Sequence, residues 1–258
     1  MPERFLDNLI VDKKQVYEFC DIVLPELKDD EVLIAVLVSR KKYCPELTRS
    51  EEALAKLILK DSDKQYVYRK LKRFGYVEDV FVDYKTGNPV SHKCMAMYID
   101  VQPMSAMKGF KTFNAEIIDL IYQTMVNPSV KRDFRNLDTK LFSAINRSRS
   151  RKPYYIVDID VKDEKLLNKI LEVLSEDAVW VSETRGGYHV IANNDNPYNR
   201  IYSKVNKKTN QREIIDYKTH EVIFSEPESR LIEVIYHQAQ TPVPGSLQGG
   251  FVVKGDKP

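Results

Sequence analysis

Tyr154-Tyr155-Ile156-Val157-Asp158-Ile159-Asp160 is the stretch on which the reading of this chain turns. Its apolar run is one strand long, and two carboxylates come where the run ends. Side chains alternate across a strand, so Asp158 and Asp160 project from the same face. The chain downstream keeps to short elements: a helix over Glu164–Leu174, a strand over Ala178–Glu183, a tight turn at Gly186-Gly187 and a strand over Tyr188–Asn193. A helix is expected after Asn196-Pro197, then strands near Glu213–Asp216 and Glu221–Phe224, and a strand over Arg230–Tyr236. Strand–helix–strand–strand–helix–strand is the order of a split βαβ, the ferredoxin- or RRM-like unit.

Upstream the pattern predicts more helix. Val16, Phe19, Cys20 and Val23 recur at helical spacing from Asp12 to about Leu24, and Glu31 to Ser39 reads as a buried strand. Thr48-Arg49-Ser50-Glu51 has the spacing of a capping box and predicts a helix to about Lys60. Ser62-Asp63-Lys64-Gln65 repeats that signal, with Gly75 closing the second helix. Strands over 76–84 and 91–101, joined by a turn at 85–89, form a hairpin. A long helix is predicted from Pro103 to about Val126, and a further helical region from Asn127-Pro128 to about Asn146. The expected fold class is α+β. A mainly helical region, 1–150, carries one strand hairpin and packs beside an RRM-like region, 151–258; the boundary is soft, and both can share one core.

Composition sets bounds. The 258 residues carry 40 basic and 38 acidic side chains, so the net charge of +2 argues neither for nor against a nucleic-acid partner. Local clusters decide that question: Arg40-Lys41-Lys42, the run 69–73, and Arg147 to Lys152, which leads straight into the carboxylate strand. Cys20, Cys44 and Cys94 are far apart and make no evident disulfide framework or zinc site, which predicts a reducing compartment. No apolar run approaches the roughly 20 residues of a membrane span, so a cytoplasmic protein is expected. A GxxxxGK[ST] phosphate loop is also missing, which argues against a fused ATPase motor.

Three constellations carry chemistry. Asp158 and Asp160, about 7 Å apart along a strand, repel each other unless a cation lies between them, and one or two carboxylates plus phosphate oxygens suit Mg²⁺. Thr184-Arg185-Gly186-Gly187-Tyr188-His189 makes a tight turn into a strand that holds His189 where a donor can meet a phosphate. Thr241-Pro242-Val243-Pro244-Gly245-Ser246 stiffens the chain and then frees it. Each has a plain structural reading: solvated acids at a strand end, a satisfied strand histidine, a rigid loop.

Taken in order, Asp158-x-Asp160, Gly187-Tyr188-His189 and Pro244-Gly245-Ser246 resemble the archaeo-eukaryotic primase superfamily of primases and primase-polymerases. The resemblance covers roughly residues 150–250. It implies that Asp158 and Asp160 bind catalytic Mg²⁺ or Mn²⁺, that His189 contacts the phosphates of the incoming nucleoside triphosphate, and that Arg185 adds a phosphate contact. A third carboxylate is implied as well. Glu233 precedes the PGS loop at the expected place, although the family usually has Asp there; Asp216 is the alternative. The implied activity is template-dependent nucleotidyl transfer in DNA replication, with single-stranded DNA as template and a separate helicase or other replication proteins as partners. Compact forms of this kind occur in viruses and mobile elements, whose products would act in the host cytoplasm. Two other readings stand beside it: a non-catalytic nucleic-acid-binding replication protein on the same fold, and a metal-dependent nuclease.

Overall fold

The computed structural model describes residues 6–77, 81–83, 85–127, 129, 134–194 and 201–258. The chain is mixed α+β, and its strands pair antiparallel throughout. A five-stranded sheet runs in the order Ile232–Ile235, Tyr154–Ile159, Tyr188–Asn193, Ala178–Glu183, Lys254–Asp256. Strands 154–159 and 178–183 are each antiparallel to 188–193, which lies between them, so they are parallel to one another. The helix Glu164–Leu174 makes that crossover. Its apolar face (Leu166, Ile170, Leu174) is buried with Tyr155, Val157 and Ile159 from one side of the sheet. Asp163 caps it, accepting from Lys165 N at 2.8 Å.

The expected helix after Asn196-Pro197 falls largely outside the described residues. Beyond it the chain builds a separate three-stranded sheet from Ile201–Val205, Arg212–Asp216 and Val222–Phe224 before returning to the main sheet.

The region before residue 150 holds more than helices and one hairpin. It carries a second sheet, ordered Gln240–Pro242, Met95–Asp100, Glu31–Arg40, Glu51–Leu59, with Met104–Ser105 joined to the start of the third. The largest departure is Glu51–Leu59, which pairs with Glu31–Arg40 along nearly its whole length instead of coiling into a helix. The capping box fails because its threonine is engaged elsewhere. Thr48 N donates to Asp83 Oδ2 at 2.9 Å and its hydroxyl reaches the same carboxylate, while Lys41 N donates to Ser50 O and closes a hairpin. Glu31–Arg40 is apolar on both faces and needs a ladder on each edge, a tertiary demand that outweighs local helix propensity.

Smaller differences have the same cause. The second helix is Lys64–Leu71, capped by Asp63. Pro103 lies outside the long helix Ala106–Val126, which Ser105 caps, and the next helix is Leu137–Asn146. Of the expected hairpin over 76–101, Met95–Asp100 is a strand and Tyr76–Val77 pairs with Leu6–Asp7; residues 78–80 and 84 lie outside the described set. Cys44 and Cys94 form a disulfide, their Cα atoms 5.3 Å apart across a sequence separation of 50. That corrects the expectation of unpaired cysteines and removes the case for a reducing compartment; sequence distance is a poor guide because the sheet folds the two segments together. Among the described residues no helix is long and apolar enough to cross a membrane.

One buried cluster joins the two sheets. Leu33, Ala35 and Leu37 from the second sheet and Phe19 from the helix Lys13–Val23 pack with Ile156, Trp180 and Ile191 from the first. Phe19 meets Trp180 edge-on at 5.7 Å. Each Leu or Phe wholly removed from water here contributes about 1.5–3 kcal/mol, so this interface is a true core. The other face of the second sheet is covered by Ile145, Leu141 and Phe142 of the helix 137–146.

Candidate functional site

Asp158 sits near the end of the second strand of the first sheet, directly opposite Glu233 on one neighbouring strand and His189 on the other. Residues in register on adjacent strands share a face, so the ladder itself brings these three side chains into a row. Asp160 lies just past the strand end, where its N–H donates to Leu231 O at 2.8 Å, and its side chain is exposed. All four line one cavity of about 420 Å³.

His189 Nε2 lies 3.1 Å from Asp158 Oδ1. The other ring nitrogen, Nδ1, is buried and has no hydrogen-bond partner. Burial pushes the Asp158 carboxyl up, but His189, Lys42 and Arg40 together outweigh that and hold it below its ordinary range. Asp158 is therefore an anion at neutral pH.

The turn before His189 is built with little tolerance. Thr184 Oγ1 accepts from Gly186 N and Gly187 N, and Thr184 N donates to Gly187 O at 2.9 Å. Gly187 lies against the end of the carboxylate strand: a Cβ there would fall 1.8 Å from Ile159 O and 2.7 Å from Val161 N. Only glycine lets the turn come this near to the backbone that carries Asp158 and Asp160.

The opposite wall comes from the second sheet, through residues that the carboxylate and histidine motifs do not announce. Arg40, at the end of its strand, donates to Tyr98 Oη at 2.8 Å and pairs with Glu51 at 2.9 Å. Lys42 follows it into the cavity wall. Its ammonium is pulled down by desolvation and by Arg40, against the opposing pull of Asp160 and Asp158. Gln248 is nearly buried and ties the floor together, donating to Tyr98 Oη at 3.1 Å and accepting from Arg185 N at 2.8 Å. The Arg40-Lys41-Lys42 cluster is the one signal in the sequence for this wall.

Other expected contributors lie elsewhere. Arg185 points away from the cavity, its guanidinium donating to Gly249 O at 2.8 Å and lying 5.0 Å from the Tyr43 ring centroid. Asp216 is in the separate three-stranded sheet, where it accepts from Lys218 N at 2.7 Å and closes a turn. The Pro244-Gly245-Ser246 loop is buried against the start of the first helix: Gly245 O accepts from Val11 N and Asp12 N, and Ser246 Oγ donates to Val243 O. Of the basic cluster before the carboxylate strand, Arg147 pairs with Glu116, Arg149 with buried Asp100 at 2.5 Å, and Arg151 with Glu31 at 3.0 Å. Arg149 and Arg151 thus tie this segment to buried acids of the second sheet, while the Arg147 pair is exposed.

The donor set of Asp158, Asp160 and Glu233, all carboxylates beside a polar cavity, has the chemistry hard divalent cations take. Among the described residues, the set of three His, Cys, Asp or Glu ligand atoms within 4.8 Å of one another is Cys44, Glu46 and Cys94, and its two sulfurs are bonded together. The carboxylate row is thus a wider arrangement than a closed structural cage. Comparison with protein-family models, with curated proteins and with solved structures found no match.

Proposed function

We propose that this protein is a template-dependent nucleotidyltransferase of the primase or primase-polymerase kind, working in DNA replication. The observation that carries the reading is the row Glu233–Asp158–His189 on three adjacent strands, with Asp160 at its end and Arg40 and Lys42 across the cavity. Carboxylates set directly opposite each other repel, and a divalent cation between them relieves that repulsion. Asp158, Asp160 and Glu233 would hold Mg²⁺ or Mn²⁺. When bound, such ions activate an attacking hydroxyl and neutralise charge on the leaving pyrophosphate.

The chain's own groups supply the rest. His189, oriented by Asp158, lines the cavity where a phosphate would lie, and Arg40 and Lys42 add positive charge on the opposite wall. Positioning and electrostatics are most of what phosphoryl-type transfer asks of a protein. The strand order of the first sheet, with its helical crossover, agrees with an RRM-like, primase-type framework. The polymer partner is single-stranded DNA, and the small substrates are nucleoside triphosphates.

The test is nucleotide incorporation on a single-stranded template with Mg²⁺ or Mn²⁺, with and without a primer, beside the Asp158→Ala/Asp160→Ala protein. Metal-dependent incorporation that the double variant loses supports the assignment, and the unprimed lanes separate priming from extension. Template binding without incorporation in any lane leaves a non-catalytic replication protein. Strand cleavage in the absence of nucleotides identifies a nuclease.

A further inference from the structure

A second cavity, of about 410 Å³, opens where the first sheet meets the three-stranded one, and none of its residues belongs to the carboxylate site. It is lined by Lys152, Asn194, Tyr202, Tyr217, Tyr236 and His237. Three tyrosines reach it from three separate elements. Tyr202 is the second residue of the strand 201–205, Tyr217 is in the turn after 212–216, and Tyr236 follows the edge strand 232–235.

Tyr236 is held firmly. Its ring stacks on Tyr155 with centroids 5.1 Å apart, and its hydroxyl donates to Ile201 O. Tyr202 and Tyr217 meet edge-on at 6.1 Å. In such a pair the ring that offers its edge keeps both faces clear of its partner, so a flat ligand has a surface to stack on. Tyr217 is 47% exposed, which a purely structural tyrosine pair does not require. Polar groups frame the opening: Lys152 Nζ lies 3.0 Å from His237 Nδ1, and Asn194 Nδ2 is fixed by donating to Lys152 O at 2.7 Å.

We propose that this cavity binds an unpaired base of single-stranded nucleic acid, stacked among Tyr202, Tyr217 and Tyr236 with Lys152 on an adjacent phosphate. Its volume falls in the range of small-ligand pockets, and its lining combines aromatic faces with a few polar groups, as base binding requires. The charge pattern favours a strand over a free nucleotide. A triphosphate needs several cations at one place, whereas here Lys204, Lys207, Lys208 and Lys218 are strung along the three-stranded sheet, all exposed. Two of that sheet's acids are already engaged: Glu213 accepts from Asn206, and Asp216 closes its turn. Strand binding of this kind stands whether or not the carboxylate site is catalytic.

The test uses a labelled single-stranded oligonucleotide carrying 5-iododeoxyuridine. Crosslinks mapped by mass spectrometry should fall on Tyr202, Tyr217 or Tyr236, in wild type and in Asp158→Ala/Asp160→Ala alike. By fluorescence anisotropy, Tyr217→Ala should weaken binding about 5- to 150-fold, the loss expected for one stacked base, while Tyr217→Trp retains it. Because Tyr217 is half exposed, its loss should leave folding intact, which circular dichroism checks. The proposal is overturned if the oligonucleotide does not bind, if crosslinks fall only on other residues, or if Tyr217→Ala binds like wild type. Equal affinity for a blunt duplex, whose bases are already stacked, also overturns it.

Discussion

Adding one methyl group at Gly187 should disrupt the carboxylate site, while the same change one residue earlier should not. A Cβ on Gly187 would lie 1.8 Å from Ile159 O and 2.7 Å from Val161 N, whereas nothing lies within 4 Å of one on Gly186. Neither glycine has the positive φ that disfavours alanine, so the difference is wholly steric. The obstructing atoms are backbone, on the strand that carries Asp158, and cannot turn aside as a side chain can. Overpacking of this kind costs about 1–3 kcal/mol when neighbours can adjust, and the upper end applies here. For a chain of this size, about 3 kcal/mol corresponds to a fall in Tm of about 6–12 °C. Gly186→Ala should be neutral or slightly stabilising, since alanine narrows the unfolded ensemble. Thermal denaturation of the two variants beside wild type reads this directly. In the incorporation assay, lifting the turn by about 1 Å should cost Gly187→Ala on the order of 100-fold. Equal Tm values for the two alanine variants would refute the argument that the turn is clamped to the carboxylate strand.

Glu233→Gln should lower metal-dependent incorporation by at least the roughly 10- to 100-fold that groups around a metal are worth, and Asp216→Asn should leave it unchanged; the reverse result moves the third carboxylate to Asp216. Replacing Cys44 and Cys94 by serine opens a loop of 50 residues and should lower stability by about 2–4 kcal/mol in urea unfolding, with no loss if the bridge does not form in solution. Glu31 is pushed up by burial but pulled down more strongly by Arg151, Ser150 and Lys28 N, to about 2 from an ordinary 4.5. Since the folded-state value is the lower one, its stabilisation is present above about pH 4.5 and fades as pH falls toward 2. The stability gap between wild type and Glu31→Gln should therefore narrow across that window, and a gap that stays constant contradicts it.

Much of the first sheet is legible in the sequence because its signals are local. Alternation over Ala178–Glu183, the short apolar run Val190–Ala192, the Asp163 cap and the helical spacing of Leu166, Ile170 and Leu174 each involve residues within a few positions of one another. Glu51–Leu59 is not legible in the same way, because its conformation depends on Glu31–Arg40 and on Asp83, which a short window does not see. The same holds for the site. Asp158, Asp160 and His189 announce themselves through motif and face, but Arg40, Tyr98 and Gln248 meet them only once two sheets close on one core. The arginines of the cluster Arg147 to Lys152 are hard to read for a related reason: composition shows charge, but not that Glu116, Asp100 and Glu31 pair with Arg147, Arg149 and Arg151. Cys44 and Cys94 are far apart along the chain and adjacent in space.

The row Glu233–Asp158–His189 is spaced by the hydrogen-bonded ladder, about 4.8 Å per strand, and not by the number of residues that separate its members. The connection between the strands bearing His189 and Glu233 already houses a sheet of its own, over 201–224, without disturbing that spacing. Descendants of this chain could lengthen, shorten or replace that connection and keep the same three side chains abreast. Kinship among such proteins would survive in which residues stand opposite one another across strands long after the linear intervals between them had drifted apart.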